Sequence, residues 1–133
     1  MFGSIKSAYK KSQAEELLSK VLVAHDPFSQ FNGEQDKVAS NLIENVWNAR
    51  PNIFSGKEFG ERPNTISILL FALANGLELE KDSTSARNIY IMCMSSLFQE
   101  VEERAGAYKL VKVDDVLITA SLNVFEKHTL KNW

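Results

Sequence analysis

Few residues in this chain have types and spacings that could support chemistry. Cys93 is the one cysteine, so no intrachain disulfide can form, and a lone thiol suits a reducing compartment. It lies in IYIMCMSS between Met92 and Met94. A nucleophilic or redox thiol needs a helix start or a nearby cation to hold its thiolate. An apolar helical face does the opposite, so Cys93 is expected to be buried and inert.

The two histidines, His25 and His128, fall near expected helix ends. Neither has an acidic or histidine neighbour at the i, i+4 spacing that brings ligands to one helical face, and a zinc site needs three or four such ligands. No serine or cysteine stands in a recognisable nucleophile setting. Glu78, Glu80, Asp82, Glu100, Glu102 and Glu103 are rich in carboxylate, but the Glu-x-x-His of a di-iron bundle does not occur. These acids read as a solvated face. The expectation is no metal, no cofactor and no catalytic residue.

Nucleic acid is a poor fit. The formal charge is −2 and the pI near 5.7, which gives no bulk attraction for phosphates. Ala72 and Gly76 have the spacing of a helix-turn-helix, but the turn that follows is acidic. Its second helix would open on Ser83, Thr84 and Ser85, with Arg87 its one early cation. A DNA-reading helix needs more donors than that.

Two features point to surfaces. Phe2, Ile5 and Tyr9 stand beside Lys6, Lys10 and Lys11, a short stripe that could dock or simply pack as a helix start. The stronger feature is the segment PNIFSGKEFGERP, from Pro51 to Pro63. It has no periodicity, and it carries Phe54 and Phe59 with Lys57 and Arg62, Arg50 preceding it. Aromatics with arginine are the composition of energetic interface contacts. Phe54, Phe59 and Arg62 are therefore the candidate protein-binding residues. The competing arrangement has both rings tucked beneath the loop, closing one end of the fold.

The elements that would position these residues are helical. At 133 residues, 44% apolar and 24% charged, the chain fits one domain over residues 1–133, with enough core to need neither disulfide nor metal. Apolar residues recur at helical spacing over about 4–25, 34–50, 83–105 and 113–130. The second of these is the clearest, with Val38, Ala39, Leu42, Ile43, Val46 and Trp47 on one face. Asn32 is placed to cap it, with Gln35 three residues on. The stretch of about 64–79 is apolar on nearly every side, as a central helix covered by its neighbours would be. Its end is open to two readings, a cap at Asn75-Gly76 or continuation to Leu79.

The fold class is thus all-α, a single-domain bundle of four to five amphipathic helices with a central apolar helix. Leu42, Val46, Leu69, Leu73, Ile89, Leu97, Leu117 and Val124 should be largely buried. No run reaches the roughly 20 apolar residues of a membrane span, and the first residues lack a secretory signal's apolar stretch. A cytoplasmic location is expected. The function expected is a non-enzymatic protein-interaction module: a small regulator, adaptor, chaperone or immunity-type inhibitor. Its partner would be another protein, with homo-oligomerisation left open. The alternative is a helical small-molecule or lipid-binding protein, or a helical enzyme with a pocket between helices.

Overall fold

The structure is a computed structural model that describes residues 2–24, 32–55, 64–79, 86–94 and 115–132, without the side chains of 2–5, 115–118 and 128–132. Among these residues there are five α-helices and one 3-10 turn, and no strand. The helices are α1 (Phe2–Ala24), α2 (Gln35–Ala49), α3 (Thr65–Leu79), α4 (86–94) and α5 (Asp115–Asn132). The 3-10 turn, Pro51–Phe54, follows α2 directly. The protein is an all-α bundle, as the periodicity predicts.

Helix α3 lies in the middle and packs on α1, α2, α5 and the 3-10 turn. Every residue from Ser67 to Asn75 is buried, and Leu77 as well. A helix with apolar residues on all sides has nowhere else to go, since any face left in water would forfeit its burial. Asn64 caps its start, its Oδ1 accepting the Ser67 N–H at 2.8 Å. The helix runs through Asn75 and Gly76 to Leu79, so continuation is the correct reading and Gly76 is no C-cap. A Cβ at Gly76 would meet Val46 Cγ2 at 3.4 Å, which marks where α2 and α3 approach closely.

Helix α2 buries a single stripe, Ala39, Ile43 and Val46, with Val38, Leu42 and Trp47 half-buried beside it. Its start differs from the capping expectation. Glu34 takes the N-cap position without a side-chain cap, and Gln35 is the first helical residue. Asn32 and Gly33 have φ of 48° and 80° and so form the left-handed turn leading in. Asparagine is one of the few residues besides glycine that tolerates this region, which is the use made of it here. The helix ends at Arg50, whose φ of −142° is the extended backbone that a following proline imposes.

Helices α1 and α2 run antiparallel. Lys11 bonds Glu44, and Ser19 donates to Asp36. Eight residues up one helix match eight down the other, with equal rise on both. Thr65 Oγ1 donates to Gln13 Oε1 at 3.0 Å, tying the start of α3 to α1.

Of the expected core, Val46, Leu69, Leu73 and Ile89 are buried, and Leu42 and Val124 are half-buried. Leu97 and the Leu117 side chain lie outside the described residues. No helix among the described residues is long and apolar enough to cross a membrane.

Candidate functional site

The 3-10 turn decides the fate of the first candidate residue. Ile53 and Phe54 are each about 1% exposed. The Phe54 ring meets the Trp47 ring with centroids 5.5 Å apart at a tilt of 53°. This is a favourable geometry for two quadrupoles, and it fixes the turn to α2. Phe54 is therefore tucked into the core, as in the arrangement where the ring closes the bundle end. Phe59 and Arg62 lie outside the described residues.

The surface that the turn does present is Arg50, Pro51 and Asn52, all exposed. Arg50 is held from below. Its Nη1 donates to Asn75 Oδ1 at 2.7 Å and its Nη2 to Glu78 Oε2 at 3.1 Å. Asn75 is fully buried, and its Nδ2 donates to the Phe71 carbonyl at 2.8 Å, one helical turn back. Both ends of the amide are thus used, as burial of a polar group requires. The Arg50 side chain stays 50% exposed, and Glu78 26%. The sequence shows Arg50 only as a neighbour of the loop and leaves Asn75 between a helix cap and a position inside a continuing helix. The available signal was an asparagine inside an otherwise apolar run, where it has to find a partner.

A second polar cluster joins α1 to α2. The Lys11 ammonium bonds Glu44, lies 3.6 Å from Glu15 and sits 5.3 Å from the centroid of the Trp47 ring. The hydrogen bond to Glu44, then the charges of both carboxylates, raise its pKa, so this lysine stays cationic. Lys11 is thereby turned into the bundle. On the same helix Tyr9 is 63% exposed and Lys6 is exposed, so the amino-terminal stripe is split.

Cys93 is fully buried, and burial pushes its thiol up to about 12. The thiol is protonated at neutral pH and a poor nucleophile. Close by, Tyr90 stacks on Phe125 with centroids 4.7 Å apart, joining α4 to α5. Its hydroxyl is buried without a hydrogen bond of ordinary geometry. Burial pushes the phenol pKa up, and fully buried Ser121 stands near enough to oppose that in part.

His25 and the His128 side chain lie outside the described residues, as do all the acidic candidates except Glu78. Among the described residues no three of His, Cys, Asp and Glu come together.

One apolar cleft is lined by Leu42, Val46, Leu73, Gly76, Leu79 and Ala86, with Asn45 its polar member. Its volume is about 20 Å³, room for one water-sized molecule and far short of a ligand site.

Comparison with family models, with curated proteins and with solved structures finds no match for this chain.

Proposed function

We propose that this chain is a non-enzymatic protein-interaction module whose contact face is the bundle end where α2 passes into the 51–63 segment. The carrying observation is the held arginine: Arg50 is half exposed yet fixed by two hydrogen bonds, one of them to a fully buried amide. A long side chain ordered before binding loses less entropy when a partner arrives. Arginine is also among the residues that carry most binding energy at interfaces. Pro51 and Asn52 extend this exposed ridge, and buried Ile53 and Phe54 anchor it beneath. Phe59 and Arg62 belong to the same segment and remain candidate contacts.

The cleft's size gives no support to a small-molecule site. A cytoplasmic location goes with this reading, supported by the single unpaired thiol.

Site-specific photo-crosslinking in cells tests it. A photoreactive residue at Asn52 should give a discrete protein adduct, identified by mass spectrometry, that is lost with Arg50→Ala. The same residue at Glu16, exposed on α1, should not give it. An adduct with a second copy of the chain would make the partner a homo-oligomer. No adduct at Asn52, or the same adducts at both positions, would overturn the proposal.

A further inference from the structure

We infer that Asn75 is the positioning residue of this contact: a buried amide on the central helix that aims Arg50 at the partner's acceptor oxygens. The inference rests on the interaction reading above. An asparagine among the ten buried positions of α3 is costly unless satisfied. It is satisfied in a directional way. Bonding of Nδ2 to the Phe71 carbonyl fixes the amide plane, and that leaves Oδ1 aimed at Arg50 Nη1.

The aim is passed to the guanidinium, which is planar and rigid. A guanidinium has five N–H donors, and among the described residues Asn75 and Glu78 engage two of them. The half-exposed side chain presents its remaining N–H groups to a partner's oxygens. Glu78 is the weaker holder. Its bond is longer, at 3.1 Å against 2.7 Å, and an exposed ion pair is screened by water and salt. The division of labour is therefore specific: Asn75 sets direction and Glu78 balances charge.

Nitrogen-15 relaxation of the Arg50 Nε–H tests this without any partner. In the wild type this group should be as ordered as the backbone. Asn75→Leu, close in size and apolar like the rest of α3, should leave the fold intact and make Arg50 mobile. Glu78→Gln, which keeps an acceptor, should leave Arg50 ordered. An Arg50 mobile in the wild type, or still ordered in Asn75→Leu, overturns the inference. Should Asn75→Leu not fold, Glu78→Ala, which removes the acceptor, decides: retained order supports Asn75, and lost order transfers the role to Glu78. In the crosslinking assay Asn75→Leu should reduce the Asn52 adduct as Arg50→Ala does. Arg50 ordered by Asn75 but with no adduct at Asn52 would sink the interaction reading and leave the positioning intact.

Discussion

Helices α2 and α3 are both fifteen residues long, and they stand in opposite relations to water. Helix α2 buries three residues along one stripe, half-buries Val38, Leu42 and Trp47 beside it and exposes most of the rest. Helix α3 buries ten, including Ser67 and Asn75. A one-sided helix tolerates change over most of its surface. A helix covered on every side has almost no position where change is free, and each polar group inside it needs a named partner. That difference explains why Arg50, exposed at the end of α2, finds its hydrogen-bond partners on α3.

The largest effect that could break this comparison is cavity formation. Leu73→Ala or Phe71→Ala in α3 should cost about 2–5 kcal/mol. Asn41→Ala and Asn48→Ala, on the exposed face of α2, should stay within about 0.5 kcal/mol. Urea denaturation measures all four. A loss under about 1 kcal/mol at both α3 sites would mean that α3 is not the centre.

Next in size is the polar group inside α3. Arg50→Ala leaves the buried Asn75 Oδ1 without its donor and should cost about 1–3 kcal/mol. Adding Asn75→Leu should return much of that, because removing both partners is far milder than orphaning one. If the double variant is no more stable than Arg50→Ala, Asn75 is not the group that suffers.

The Cys93 thiol gives an alkaline signature. Its folded pKa of about 12 lies above the ordinary 9.0, so the folded state holds the proton more tightly than the unfolded chain. The associated stability is complete below pH 9 and is lost as pH rises from 9 towards 12, by at most about 1.4 kcal/mol per unit. Tyr90, also raised by burial, adds loss in the same direction above pH 10. Cys93→Ala should therefore show a shallower decline between pH 9 and 10.5, and native Cys93 should resist a bulky thiol reagent until denaturant is added. A decline of equal slope in the variant, or fast native labelling, would refute burial of this face of α4.

The smallest effect is a gain. Gly76→Ala should stabilise the protein by about 0.5–1 kcal/mol, since Gly76 is helical and a Cβ would reach Val46 Cγ2 only at 3.4 Å. A loss instead would show that α2 and α3 cannot separate by even a few tenths of an ångström, which would sharpen the contrast between the one-sided and the enclosed helix.

Sequence alone determined the helices and their order of burial. The spacing of Ala39, Ile43 and Val46 marks the inward stripe of α2, and the unbroken apolar run through α3 marks the centre, because apolar area must leave water whatever the partner. Pro51 fixes the end of α2 through backbone sterics, which are local. Three things needed the tertiary structure. Phe54 could have faced a partner or the core, and only the position of Trp47 settles that it turns inward. Asn32 could have capped α2 or made the turn before it, a choice set by where the chain enters. Asn75 finds its donor 25 residues away at Arg50, and no local pattern encodes a hydrogen bond between two helices. Periodicity reports which side of a helix avoids water, whereas a directional bond across the bundle exists only once the helices have packed.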